Sequence, residues 1–137
     1  MGENLFEGCA SIKTLSLNSS VGKSSFKDCT ALESITFLSG VVEIGEKAFS
    51  GCTGLTSVSL PEGVEKINDN AFDSCQSLKT IMLPKTLKNL GKAIFNNCSA
   101  LEKINYRGTS YEWNSITKSN KWNENAGTTW PTYNAKD

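Results

Sequence analysis

Residues 44–67 read IGEKAFSGCTGLTSVSLPEGVEKI, and what recurs from this stretch decides the fold of the whole chain. Its apolar positions are Ile44, Ala48, Phe49, Cys52, Leu55, Val58, Leu60 and Val64, after which Ile67 begins the series again. The next lap supplies Ala71, Phe72, Cys75, Leu78, Ile81, Leu83, Leu87 and Leu90, and the one after it Ile94, Phe95, Cys98, Leu101, Ile104 and Tyr106. Phe49, Phe72 and Phe95 are thus 23 residues apart, as are Cys52, Cys75 and Cys98. A fixed period in the twenties predicts a solenoid, in which no lap buries its own apolar face and stacked laps share one core.

Reading towards the N-terminus, MGENLFEGC at residues 1–9 superposes on IGEKAFSGC at 44–52, so the sequence opens in mid-repeat. The first lap continues through Ile12, Leu15 and Leu17, and Val21 then takes the place of Ile44 in a lap three residues short. The second lap is Phe26, Cys29, Leu32, Ile35, Phe37, Val41 and Ile44. Five laps therefore occupy residues 1–106, the first of them truncated. Within a lap, Val58 and Leu60 alternate with Ser57 and Ser59, the pattern of a half-buried strand. Phe49 and Cys52, three apart, suit one helical or 3₁₀ turn with both side chains inward. Pro61 and Pro84 follow the strand and preset a turn. The expected architecture is an α/β leucine-rich-repeat solenoid, a right-handed coil with a parallel concave sheet and one short helical turn per lap.

From Arg107 the repeat stops. Thr109-Ser-Tyr-Glu112 is a capping box that predicts a short helix carrying Trp113 and Ile116. Trp122 follows a polar link, and Thr128–Tyr133 reads as a final strand or edge. Residues 107–137 are expected to form a C-terminal cap, with Trp113, Trp122, Trp130, Tyr111 and Tyr133 plugging the apolar end of the last lap or, alternatively, presenting an aromatic platform to a partner.

Fourteen basic residues balance fourteen acidic ones, and the basic ones are scattered. No field is available to gather nucleic acid or an anionic membrane, so neither nucleic-acid binding nor membrane insertion is expected. No apolar run is long enough to span a bilayer. The sequence has no histidine, which removes Ser-His-Asp and Cys-His nucleophilic sites and every His-containing metal site. Its acids do not recur as pairs at matched positions, and no phosphate-binding glycine motif is present. No cofactor, metal or enzymatic activity is expected. Cys9, Cys29, Cys52, Cys75 and Cys98 each lie three after the Phe of their lap, the phase of small apolar core residues. A bridge between neighbouring laps stays open as an alternative.

The laps at 44–67 and 67–90 resemble the BspA-like leucine-rich repeats, whose form is Ile-Gly-x-x-Ala-Phe-x-x-Cys-x-x-Leu-x-x-Val-x-Leu-Pro-x-x-Val-x-x-Ile. The stretch YRGTSYEWNSI at 106–116 is similar to the Gly-Thr-x-x-x-Trp-x-x-Ile module that often closes such arrays. Commoner leucine-rich repeats place Asn three residues after the last Leu of the strand. Here that place holds Gly63 or Thr86, and laps one and two also lack the Pro after Leu17 and Phe37. The resemblance implies a bacterial or protist protein, at the cell surface or secreted, of a kind often connected with adhesion to host matrix or to other cells. It implies no catalysis and fixes no binding residues.

The candidate binding surface is instead read from the strands. Their outward positions form two columns: Thr14, Ser34, Ser57, Thr80 and Lys103, and Ser16, Thr36, Ser59, Met82 and Asn105. Concave sheets of repeat proteins commonly bind partners, here an unidentified protein or glycan. The same hydroxyl ladders also simply stabilise a sheet, so a structural spacer with no ligand of its own is the alternative. The open first lap adds an expectation of weak self-association by end-to-end stacking or edge pairing.

Overall fold

A computed structural model describes residues 1–127 and 131–133. The elements run β1 (Thr14–Leu17), β2 (Ser34–Phe37), β3 (Glu43–Ile44), β4 (Ser57–Ser59), β5 (Lys66–Ile67), β6 (Thr80–Leu83), β7 (Asn89–Leu90), β8 (Lys103–Tyr106), α1 (Ser110–Asn114), β9 (Thr117–Lys118) and β10 (Pro131–Thr132). Every pairing is parallel and joins equivalent residues of neighbouring laps: Thr14 opposite Ser34, Val58 opposite Ile81, Ile81 opposite Ile104. This is the stacked register that a solenoid requires. Val21 bridges to Ile44, which fixes the three-residue deletion at the place where the apolar pattern put it.

Phe6, Phe26, Phe49, Phe72 and Phe95 form a stack with ring centroids 5.3, 5.5, 5.5 and 6.0 Å apart. Phe26, Phe49, Phe72 and Phe95 are shielded from water, whereas Phe6 in the first lap is 40% exposed. Beside the rings runs the thiol row. Each buried Cys donates its S–H to the carbonyl of the Phe one lap back, from Cys29 to Phe6, Cys52 to Phe26, Cys75 to Phe49 and Cys98 to Phe72, at 3.0–3.2 Å. All five cysteines are free, so the thiols serve as packing and as weak donors, and the alternative of an inter-lap bridge falls away.

The short helical turn expected in each lap is not a helix. Among the described residues α1 is the only helix, and the 46–52 segment alternates between two kinds of bond. Ala48, Ser50 and Cys52 donate within the lap, to Gly45, Lys47 and Phe49. Lys47, Phe49 and Gly51 donate across to Asp69, Ala71 and Asp73 of the next lap. Two left-handed residues per lap make this possible. The first set is Asn4, Ser24, Lys47, Asn70 and Ala93; the second is Gly8, Asp28, Gly51, Ser74, Asn97 and Asn125. The segment therefore behaves as a further inter-lap ladder on the wall opposite the long strands, while still turning Phe49 and Cys52 inward.

A second sheet, in the order β3-β5-β7-β9, lies beneath the turn that follows each long strand. The long strands themselves do not make one continuous sheet: β1 pairs only with β2, and β4, β6, β8 and β10 make a second ladder. At the C-terminal end Thr109 caps α1 by accepting from the Glu112 N–H while the Glu112 carboxylate accepts from the Thr109 N–H, as the capping box predicts. Trp113 sits edge-on between Tyr106 and Trp122, both 5.2 Å away, and closes the core. Trp113 and Trp122 are buried and Tyr133 packs against the core, but Tyr111 is 81% exposed and belongs to the surface. Trp130 and residues 134–137 lie outside the described residues, as does much of the expected 128–133 strand, of which Pro131–Thr132 pairs with β8.

Candidate functional site

The ten outward residues fall into the two expected columns. Thr14 and Ser34 are opposite one another, as are Ser16 and Thr36; Ser57, Thr80 and Lys103 continue the first column, and Ser59, Met82 and Asn105 the second. Thr132 of β10 lengthens the second column, and its hydroxyl donates to the side-chain Oδ1 of Asn105 at 2.6 Å. Thr14, Ser16, Ser34, Thr36, Ser57, Ser59 and Lys103 are exposed, while Thr80, Met82 and Asn105 are half-buried. The columns are nevertheless interrupted, because β2 and β4 lie side by side without a ladder between them. Ser34 and Thr36 thus belong to one sheet, and Ser57 and Ser59 to another.

A notch of about 400 Å³ opens at this break, lined by Ile35, Thr36, Phe37, Ser59, Pro61 and Arg107. Its chemistry follows from three residues. Pro61 brings no N–H to the carbonyl of Phe37, the equivalent of the Leu17 carbonyl that accepts from the Leu38 N–H one lap earlier. Phe37 is an aromatic where laps one, three and four have Leu, and it stands edge-on to Phe49 at 6.0 Å. Ile35, whose equivalents Val58, Ile81 and Ile104 are buried, is left half-exposed as the apolar floor.

Arg107 is the residue that reading the strand columns missed. It lies just beyond β8, where laps three and four carry proline, so its backbone N–H can make the rung to the Leu83 carbonyl at 3.0 Å. Its side chain reaches back two laps. Nη1 donates to the Leu60 carbonyl at 2.6 Å, the acceptor that Pro84 cannot serve, and Nη2 donates to the Ser59 hydroxyl at 3.0 Å. One arginine thus replaces a missing rung and places a guanidinium over the second column. Its position as the first non-proline after a late strand is the only signal the sequence carried, since the contact spans 47 residues.

The remaining chemistry is sparse. Burial raises the thiol pKa of Cys29 and pushes that of Cys52 up to about 12; the neighbouring Cys98 thiol and burial together hold Cys75 well above the ordinary range. These are the conditions of inert thiols, not of nucleophiles. Among the described residues no group of three or more acidic or cysteine side chains could hold a metal ion, and no helix is long and apolar enough to cross a membrane.

A family model for the BspA type leucine rich repeat region matches residues 1–120 in six copies. The chain belongs to the BspA-type leucine-rich repeat family. That family is a non-enzymatic repeat scaffold, and the six copies reach past Tyr106 into the stretch where β9 extends the second sheet. A leucine rich cell surface protein from Faecalibacterium prausnitzii is similar at 34% identity and a TM-score of 0.81, over 85% of this chain and 32% of its own. Leucine-rich repeat proteins from Bacteroides ovatus (27% identity, TM-score 0.78, 95% of this chain and 32% of that one) and Eubacterium ventriosum (30%, 0.78, 96% and 35%) share the same stacking. The chain spans about a third of the length of each of these structures. No curated protein matches it.

Proposed function

We propose that this BspA-type array is a non-enzymatic binding module of a bacterial cell-surface or secreted protein, engaging a protein or glycan through the outward face of its long strands. Adhesion to host matrix or to other cells is the activity such a module would serve. The observation that carries the reading is the notch between β2 and β4, with an apolar floor at Ile35 and Phe37 and a donor rim at Arg107 and the Thr36 and Ser59 hydroxyls. A hollow of about 400 Å³ lies at the small end of the range for ligand sites, room for an anchoring side chain or a sugar ring. The flat hydroxyl columns on either side offer complementarity more than energy, because hot spots favour arginine and aromatics.

Binding of the chain to an array of matrix proteins and glycans tests the proposal, beside a folded variant carrying Thr36→Lys and Met82→Glu. A signal that the variant loses supports a binding module and locates its face. A signal retained by the variant moves the site elsewhere. No signal with either protein favours a spacer that displays neighbouring parts of a longer protein.

A further inference from the structure

We infer that the hollow between the fourth lap and the cap helix is a carbohydrate site, taking one pyranose ring through its vicinal hydroxyls. Its walls come from residues 85–89 on one side and 106–117 on the other, both inside the array. The site is separate from the notch between β2 and β4 and does not depend on it.

The hollow has a cause in the chain. Leu83 pairs with Tyr106 and Asn89 with Thr117, so six positions in the fourth lap correspond to eleven in the cap. The additional residues are spent on α1. In earlier laps the turn after each long strand lies against its neighbour, and a hydroxyl of one ties the backbone of the other. Ser20 accepts from the Val42 and Glu43 N–H groups; Thr86 accepts from the Gly63 N–H and donates to the Val64 carbonyl. In the cap α1 takes the place of that turn. The fourth-lap equivalents, the Thr86 N–H and the Leu87 carbonyl, make no hydrogen bond with another described residue. The opening that results measures about 430 Å³, within the range of small-ligand sites.

Tyr106 points to the occupant. The residue is 2% exposed, and its hydroxyl bonds to no other described residue. No enclosed side-chain oxygen or nitrogen among the described residues lacks a partner, so this oxygen opens onto the hollow that Tyr106 lines. A polar group so placed favours a ligand that hydrogen-bonds to it. Burial raises the Tyr106 pKa, with the Glu112 and Glu62 carboxylates adding to it, and the protonated phenol both donates and accepts. Around it Lys85 and Lys88 supply donors and Glu112 an acceptor. Lys88 also pairs with Glu65 at 3.1 Å, and Glu112 accepts from the Thr109 N–H at 2.8 Å. Charges of both signs about one hollow leave no field that selects an anion or a cation. A sugar hydroxyl, which donates once and accepts twice, satisfies ammonium and carboxylate together. Leu87 and Ile116 give the hollow an apolar floor for the C–H face of a ring. Tyr111, 81% exposed, lies one helical turn from Ser115, whose hydroxyl donates to the Tyr111 carbonyl. An aromatic ring thus stands beside the rim, completing the mixture of apolar surface and few placed polar groups that small-molecule sites use.

Nitrogen–proton correlation spectra of the isotope-labelled chain, titrated with the methyl glycosides of glucose, mannose and galactose, test the inference. Saturable shifts are expected with at least one of them, centred on the backbone amides of residues 85–89 and 106–117. Tyr106→Phe keeps the ring in the core and should weaken that binding about fivefold, the loss of one hydrogen bond. Lys85→Met should weaken it as well. The Thr36→Lys, Met82→Glu variant alters the strand face and should bind the glycoside as the parent does, so failure of that face and failure of this site are told apart. Methyl glucuronide is the charged comparison. Shifts with the glucuronide alone would make the hollow an anion site and overturn the inference. So would the lack of a saturable shift with any neutral glycoside, shifts centred on the notch, or an affinity unchanged by Tyr106→Phe.

Discussion

Phe72→Ala tests the stacked core at its middle. The ring is fully shielded and lies between Phe49 at 5.5 Å and Phe95 at 6.0 Å, with interplanar angles of 11° and 20°. Truncating a buried Phe costs about 3–5 kcal/mol, and the loss of ring contacts on both sides places this site at the upper end, about 5 kcal/mol. Against a total stability of about 5–15 kcal/mol that is a third or more. Phe6→Ala is the internal control, because Phe6 is 40% exposed and touches one ring, Phe26, at 5.3 Å. Its loss should cost only about 1–2 kcal/mol, scaled from the value of a fully buried side chain. Urea denaturation of both variants followed by tryptophan fluorescence reads the difference. At about 3–5 °C per kcal/mol for a chain of this size, Phe72→Ala should melt on the order of 15 °C lower than the parent. Equal losses at the two positions, or a near-unchanged melt for Phe72→Ala, would refute the register of the stack.

Four other perturbations have definite signs. Native thiol titration at pH 8 should label Cys9 first and leave Cys29, Cys52, Cys75 and Cys98 untouched, and rapid labelling of all five would contradict the buried row. Because the folded-state pKa of Cys52 is raised to about 12, its neutral thiol favours the folded state below pH 9, and that contribution is lost as pH rises from about 9 towards 12. Each such thiol costs about 1.4 kcal/mol per pH unit in this window, so Cys52→Ala, though less stable at neutral pH, should show a shallower alkaline decline. Arg107→Ala leaves the Leu60 carbonyl without its 2.6 Å donor and should cost about 1–3 kcal/mol, with Arg107→Lys recovering only part because it cannot reach Ser59 as well; denaturation curves decide. Lys118→Met should cost about 1–2 kcal/mol, since Lys118 Nζ ties the Trp113 and Ile116 carbonyls at 2.7 and 3.0 Å while lying 4.9 Å over the Trp113 ring.

How much of this was legible from the sequence depends on the range of the interaction. The inward columns repeat at a fixed period, so Phe49, Cys52, Val58 and Leu60 revealed both the solenoid and its register, and Val21 revealed the short lap. The capping box at Thr109 and Glu112 is local and was equally plain. The segment around Lys47 misled because a Phe and a Cys three apart face inward in a helical turn and in the observed alternating ladder alike. The correcting signal was the column Gly8, Asp28, Gly51, Ser74, Asn97, mostly residue types that tolerate left-handed backbone, repeated in every lap at a position no helix needs. The two-residue strands β3, β5, β7 and β9 are too short for any alternation to announce them.

The candidate site was legible in its residues and hidden in its shape. Every outward side chain lies where the strand alternation put it, yet the break in the sheet depends on relations between laps. Pro61 and Pro84 look identical in the sequence, each ending a strand, and each withholds one N–H from the lap before. What distinguishes them is the donor that arrives in their stead: the Arg107 side chain reaches the Leu60 carbonyl beneath Pro84, while at the junction beneath Pro61 the ladder stops and Ile35 comes within reach of solvent. A feature that makes one lap unlike the others is also what a repeat protein needs for specificity. Five identical outward faces would bind a partner in five equivalent registers, whereas a single notch with one guanidinium at its rim defines one. If the chain binds through this face, exchanging Pro61 for a residue that restores the rung should close the notch and weaken binding while leaving the core stack and its stability intact.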